Sequence, residues 1–219
     1  MTDVTASPVL PRSILWLLLA LAVPEVVFQM SDRGVLFGPG LRAAAYALGA
    51  FRSDLTAQDL AIFPGQAFSM YFTYMFLHIG LLHLAVNAIG LVWLWRLILN
   101  RRTAPDAVML FAMSGVGAAL VFSVLSTTQI VMVGASGALF GLLGVYFVDS
   151  RLFWPGPHGS TGLPGKLVRL IVIAAALTLS DIVSQVTVGT PVAWQAHTGG
   201  FLTGAIVALI WPRRHADGL

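Results

Sequence analysis

Cysteine is missing from this 219-residue chain, and charged residues are scarce. Without a thiol, the protein has no disulfide, no thiolate metal site and no cysteine nucleophile. Only 10% of the residues are charged and 58% are hydrophobic, whereas soluble domains carry about 25% charged residues. So few charges cannot cover the surface of a soluble protein of this size, and the composition predicts a membrane protein.

The apolar residues form blocks, each close to the ~20 residues that a helix needs to cross a bilayer. We predict six transmembrane helices, at about 13–30, 71–98, 107–125, 131–149, 167–187 and 192–211. The first block contains Pro24 and Glu25 and lacks a small-residue cleavage site, so we interpret it as a retained helix and not as a signal peptide. The predicted fold class is an all-α membrane protein, a six-transmembrane-helix bundle forming one domain over residues 1–219.

The basic residues predict the orientation of this bundle. Most of them lie at the two termini and after spans two and four: Arg12, Arg96, Arg101, Arg102, Arg151, Lys166, Arg169, Arg213 and Arg214. By the positive-inside rule, both termini are cytoplasmic. The remaining three, Arg33, Arg42 and Arg52, lie in the long external segment after span one. Because the arginines mark span ends and form no basic patch, the net charge of +3 does not predict a nucleic-acid partner.

Three polar residues on three predicted helices lie at nearly one depth. His83, Ser136 and His197 occupy spans that run from outside to inside, about 20, 20 and 24 Å above the cytoplasmic charges at a rise of about 1.5 Å per residue. Asn87 shares a helix face with His83, one turn deeper. Ionisable groups inside a bilayer are costly and therefore mark candidate functional sites. A serine and a histidine that meet there suggest a nucleophile and its base.

Small residues recur at every fourth position on spans four and six. They are Gly137 and Gly141 on span four, and Gly200, Gly204 and Ala208 on span six. Faces of this kind let helix backbones approach closely in lipid, which would allow a hydrogen bond between Ser136 and His197. By themselves they are also typical of generic helix packing.

Short motifs surround the candidate residues on alternate spans. They read His-Leu-Ala-Val-Asn at 83–87, Gly-Ala-Ser-Gly at 134–137 and Ala-His-Thr-Gly-Gly at 196–200. In this order, with six spans, cytoplasmic termini and a long first external loop, they resemble the rhomboid family of intramembrane serine proteases. The resemblance covers about residues 71–211 and implies a rhomboid-like six-helix fold.

This resemblance implies a serine endopeptidase with neither cofactor nor metal. Position by position, Ser136 corresponds to the nucleophile and His197 to its general base, in a dyad that requires no acid. His83 and Asn87 correspond to oxyanion-hole donors, beside the backbone N–H of Ser136. Phe140 stands where an aromatic ring, often tyrosine in the family, packs on the catalytic imidazole. The implied partners are the lipid bilayer and single-pass membrane proteins, which are cut near the external face.

The external segments differ from the family pattern at one point. Where many members have Trp-Arg shortly before span two, this chain has Ser69-Met70, which leaves the anchoring of the first loop open. Within that loop, we expect the semi-apolar stretch Leu41 to Phe51 to lie in the membrane interface. A polar vestibule must admit water to the site, and its expected lining is Thr127, Thr128, Gln129 and Gln195.

Simpler interpretations exist for the motif residues. Ser136 alone is typical of a packing hydroxyl, and His83 and Asn87 are also typical of polar links between helices. A non-cleaving rhomboid-like binder of membrane proteins is the main alternative function, although such proteins usually lack the serine or the histidine. A transporter would favour broken helices or repeats, which the chain does not have. A short chain without added domains suggests a bacterial cytoplasmic membrane.

Four other polar residues receive structural interpretations. We expect His78, near the outer interface, to form a structural hydrogen bond with the first loop. Glu25 and Gln29 share a face near the outer end of span one and are expected to be interfacial or to snorkel. Asp181 lies at the depth of the dyad, and an interfacial or water-bound carboxylate is favoured there. The alternatives for Asp181 are a third catalytic member and a substrate contact.

Overall fold

The computed structural model of the chain describes residues 12–56, 60–126, 131–150, 163–188 and 192–211. The α-helices of this part are α1 (Arg12–Asp32), α2 (Leu41–Gly49), α3 (Gln66–Thr73), α4 (Leu81–Leu99), α5 (Ala104–Leu125), α6 (Ser136–Asp149), α7 (Leu163–Val188) and α8 (Trp194–Ile210). Two 3₁₀ turns, Ser53–Thr56 and Tyr74–Phe76, lie between α2 and α4. Outside the helices, Phe51 and Met132 form an isolated antiparallel bridge. The prediction of an all-helical chain is confirmed for these ranges.

Helices α1, α4 and α5 are long and apolar enough to cross a membrane. Helix α6 is apolar as well but has only 14 residues. Helices α7 and α8 follow the fifth and sixth predicted spans closely in position. The count of six crossing helices stays a prediction.

Two predicted spans begin later than the hydropathy pattern suggests. The span predicted at 71–98 is wrong at its start, because the chain ends α3 at Thr73, makes the 3₁₀ turn and begins α4 only at Leu81. Gly80, just before α4, has a φ of 153°, a value that favours glycine. The helix predicted from residue 131 begins at Ser136. In both places the apolar residues continue through the break, so apolar character alone does not reveal it.

The core is formed where α8 packs against α5 and α6. A Cβ atom on Gly200 would lie 1.9 Å from the carbonyl oxygen of Gly137, and one on Gly204 would lie 2.0 Å from that of Gly141. The two predicted glycine faces therefore meet, backbone against backbone. This contact brings the first turns of α6 and α8 side by side.

A buried ion pair lies at the C-terminal ends of α6 and α8, away from their first turns. Arg102, just before α5, donates from Nε and Nη2 to the two carboxylate oxygens of Asp149, at 2.7 and 3.0 Å. Its guanidinium also donates to the carbonyl groups of Ala208 and Trp211. The two charged side chains are only 1% and 3% exposed. Arg102 therefore links the ends of α6 and α8 on the side away from the candidate site.

The expectation that Glu25 is interfacial or snorkels is wrong. Glu25 is fully buried in α1, where it accepts hydrogen bonds from Arg42 of α2 at 2.8 and 3.0 Å and from Gln29 at 2.8 Å. Hydrogen bonding to Glu25 raises the pKa of Arg42. The same guanidinium donates to the carbonyl of His78, which also accepts from the Tyr46 hydroxyl. His78 is thus bonded to the first loop only through its backbone carbonyl, and the hydrogen bond expected of its side chain is wrong, because both ring nitrogens are buried without a hydrogen-bond partner among the described residues.

The first loop is anchored by hydrogen-bonding side chains of α3. The family pattern at Ser69-Met70 did not point to them. Gln66 is fully buried and donates to the carbonyls of Ala47 and Leu48, and Thr73 donates to that of Gly49. Met70 is also fully buried. Helix α3 therefore holds the loop by side-chain bonds to the end of α2.

Candidate active site

Ser136 is the first residue of α6, directly after a bend at Gly134 and Ala135. Gly134, two residues earlier, has a φ of 115° and donates its N–H to the carbonyl of Tyr74 at 2.9 Å. This left-handed conformation is readily adopted only by glycine. The first N–H groups of a helix have no partner inside it, so the hydroxyl of Ser136 lies beside free backbone donors.

The structure brings Ser136 and His197 together. His197 lies in the first turn of α8, and its Nε2 is 2.9 Å from Ser136 Oγ. The close glycine contact between α6 and α8 makes this distance possible, since larger residues would separate the two helices. Both residues line the same cavity.

Phe140 stacks on the imidazole of His197. The ring centroids are 4.1 Å apart and the planes differ by 6°. Phe140 follows Ser136 by one turn of α6, so the same helix carries the hydroxyl and the ring that covers the histidine. The stacking fixes the plane of the imidazole.

The expectation that Asp181 is an interfacial or water-bound carboxylate is wrong. Its Oδ2 atom lies 2.7 Å from His197 Nδ1, so the imidazole contacts Ser136 on one edge and Asp181 on the other. The carboxylate is 17% exposed and the imidazole 13%. Depth along the helix suggested that Asp181 lies level with the dyad, but the direction of its side chain follows from the rotation of α7, which a sequence pattern does not reveal.

His83 and Asn87 lie on α4 and face the same cavity. The ring of His83 rests against Gly134, where an added Cβ would come within 2.6 Å of its Cε1 atom. Asn87 is 2% exposed, and its Nδ2 donates to the backbone carbonyl of His83 at 2.9 Å. An amide nitrogen has two protons, so a second one stays available for another acceptor.

The cavity around these residues has a volume of about 1050 Å³. It extends along α4 to Trp93 and reaches α7 at Gln185. Gln195, one of the expected vestibule residues, lines it as well. The other three, Thr127, Thr128 and Gln129, lie outside the described residues. In the described ranges, no three histidine or acidic residues are grouped so that they could hold a metal ion.

Comparisons with known proteins identify the family of the chain. A family model described as "Rhomboid domain" matches residues 65–214. RHOMBOID-like protein 5 of Arabidopsis thaliana is 30% identical over 185 residues, covering 84% of this chain and 54% of the relative. RHOMBOID-like proteins 1 and 2 of the same plant are 28% and 29% identical, over 64% and 62% of this chain and 33% and 40% of their own. The chain spans about half the length of these relatives or less.

Proposed function

The chain belongs to the rhomboid family, and on that premise we propose that it is an intramembrane serine endopeptidase. The observation that carries the proposal is the 2.9 Å contact between Ser136 Oγ and His197 Nε2 at the wall of a large cavity. A hydroxyl within hydrogen-bond reach of an imidazole is the arrangement that activates serine as a nucleophile.

In the proposed reaction, His197 takes the proton from Ser136 as Oγ attacks the scissile carbonyl. The histidine then returns that proton to the leaving amine, and water releases the acyl group by the same steps in reverse order. A negative charge develops on the carbonyl oxygen in each tetrahedral intermediate. We assign its stabilisation to the backbone N–H of Ser136, the amide of Asn87 and the imidazole of His83, since all three residues line the cavity. Donors held in place beforehand stabilise the transition state more than the bound substrate.

The proposed substrates are transmembrane segments of single-pass membrane proteins. The α4 wall of the cavity includes Trp93 and Val86, which are 57% and 62% exposed in this structure and would contact an apolar segment. A peptide bond inside a regular helix is shielded by its hydrogen bonds and neighbouring side chains, so the substrate must unwind at the scissile bond. Residues next to that bond would therefore be poor helix formers.

For the membrane topology we propose one domain with six spans and both termini in the cytoplasm. The basic residues at the C-terminal end of α4 and at the N-terminal end of α7 support this orientation through the positive-inside rule. In this orientation the first turns of α4, α6 and α8, with His83, Ser136 and His197, face the external half of the bilayer. The bacterial cytoplasmic membrane expected from the sequence stays a prediction.

A fluorophosphonate labelling gel on the detergent-purified full chain tests the proposal. Wild type should label, and Ser136→Ala should not, because the reagent reacts with an activated serine hydroxyl. Ser123→Ala is a matched control, since Ser123 lies on α5 and bonds to the Leu120 carbonyl. A parallel assay should detect cleavage of a fluorescent single-pass substrate in proteoliposomes by wild type and the control alone. If the wild type binds the substrate but neither labels nor cuts it, the protein is a non-cleaving binder.

A further inference from the structure

Asp181 contacts the proposed catalytic base on the side away from the serine. Its Oδ2 atom lies 2.7 Å from His197 Nδ1, while Nε2 of the same ring faces Ser136. We infer that Asp181 is a positioning residue, which makes the site a Ser-His-Asp arrangement where the family resemblance implies a dyad. This inference rests on the proposed proteolytic function.

The first argument concerns the tautomer of His197. A neutral imidazole carries one proton, and the nitrogen without it acts as the base. A carboxylate only accepts hydrogen bonds, so Asp181 favours the tautomer with the proton on Nδ1. The lone pair is then on Nε2, the atom 2.9 Å from Ser136 Oγ. After the serine proton moves to Nε2, the Nδ1–H bond to Asp181 stabilises the charged ring.

The second argument concerns the rotation of the ring. The stacking of Phe140 holds the plane of the imidazole but does not hold the ring against turning within that plane. Hydrogen bonds at two edges, to Ser136 and Asp181, prevent that turning. Three groups on two helices therefore fix the orientation completely.

The third argument concerns how Asp181 itself is held. One turn before it on α7, the Thr178 hydroxyl forms a hydrogen bond with that of Thr198, the residue after His197. Thr178 also donates to the Ala174 carbonyl of its own helix. The Thr178–Thr198 and Asp181–His197 contacts thus join α7 to α8 at neighbouring positions. Together they fix the position of the carboxylate along the helix axis relative to the imidazole.

The test measures labelling rates and single-turnover cleavage in purified full-length protein. Asp181→Asn should slow both, by up to about 10⁴-fold, since an amide in place of the aspartate of a serine protease triad has an effect of that size. Substrate affinity should change little, and Asp181→Glu should recover part of the rate. Ser180→Ala is the matched control, because Ser180 is an exposed polar residue of α7 next to Asp181.

A spectroscopic measurement separates positioning from a merely structural role. In protein labelled with ¹⁵N-histidine, a proton shared by His197 Nδ1 and a carboxylate should give a resonance far downfield of the amide region. It should be present in wild type and Ser180→Ala and absent from Asp181→Asn and His197→Ala. Full labelling by Asp181→Asn, or a wild-type spectrum without the resonance, would overturn the inference. If Asp181→Asn does not fold, the wild-type spectrum and Asp181→Glu decide the matter. A wild type that does not label at all would instead refute the proposed function.

Discussion

The ring of Phe140 lies parallel to the imidazole of His197, with the centroids 4.1 Å apart. Both rings belong to first-turn or second-turn residues of helices that touch through glycine, so the stack is part of the same contact that joins Ser136 to His197. Stacked aromatic pairs contribute about 0.5–1.5 kcal/mol beyond their buried area. This energy is available to hold the histidine in one orientation.

Replacing Phe140 should therefore lower the rate of cleavage moderately. Phe140→Leu should reduce kcat by about 2- to 13-fold, the rate equivalent of the stacking energy. Phe140→Tyr should stay close to wild type, because the ring is kept. Cleavage kinetics on one transmembrane substrate give kcat for both variants. A Phe140→Leu protein with unchanged kcat would mean that the stack does not orient the base.

The two residues of the 2.9 Å contact should act as one unit. Ser136→Ala and His197→Ala should each abolish cleavage, and the double variant should be little worse than either single variant. Expression and melting temperature should be nearly unchanged in Ser136→Ala, since this substitution removes a single oxygen at a cavity wall. Additive losses in the double variant would contradict a shared catalytic step.

Asn87→Ala separates oxyanion stabilisation from packing. Removing the donor should lower kcat by about 10²-fold or less, because several donors share the charge. Substrate binding should barely change, since the donor acts mainly on the transition state. Single-turnover cleavage and melting are compared on one preparation. An Asn87→Ala protein that melts many degrees lower yet cuts normally when cooled would show that the asparagine is structural.

Gly200→Ala should weaken the fold and the site together. The new Cβ would lie 1.9 Å from the Gly137 carbonyl oxygen and must push α8 away from α6. Overpacking of this kind costs about 1–3 kcal/mol. The melting temperature should fall, and kcat should fall even where the protein is still folded, because Ser136 and His197 move apart. Gly90→Ala is the control for melting, since its Cβ would meet only Leu139 Cδ1, at 3.4 Å.

Arg102→Ala should be among the most destabilising substitutions. It would remove the Arg102 side of the buried pair with Asp149, and breaking a buried pair from one side costs about 3–5 kcal/mol. Arg52→Ala is the matched control, because the Arg52–Asp54 pair is 34% exposed on the arginine side and such pairs contribute about 0–1 kcal/mol. Reversible unfolding in mixed micelles measures the loss of stability in both variants. Equal losses would contradict the role given to Arg102.

Sequence patterns predicted the class of fold and selected residues that the structure places around one cavity. Composition and block length identify the apolar helices, and positions along those helices place Ser136, His197 and His83 at one depth, each in the first turn of its helix. The family membership predicted from the three motifs is confirmed. Such patterns describe positions along the helix axis, which is why they could predict that these residues lie at one level, and the structure has all three lining one cavity.

The contacts of the other polar side chains depend on how each helix is rotated about its own axis. The pattern of a single sequence does not reveal that rotation. Asp181 and Glu25 were both expected at the water interface, yet each contacts a charged or ionisable partner on the next helix, His197 and Arg42. Their direction depends on how α7 and α1 are turned against their neighbours. The sequence does not reveal the break before Leu81 for a different reason. Apolar residues are equally suited to a helix and to a buried turn.

The order of the helices along the chain also has a consequence for biosynthesis. Ser136 and His197 are 61 residues apart, and the histidine arrives with α8. A ribosome-bound intermediate that has inserted everything through α7 already contains the serine and the aspartate but has no base. Under the proposed mechanism, the nascent protein therefore cannot cleave a substrate until α8 has been inserted.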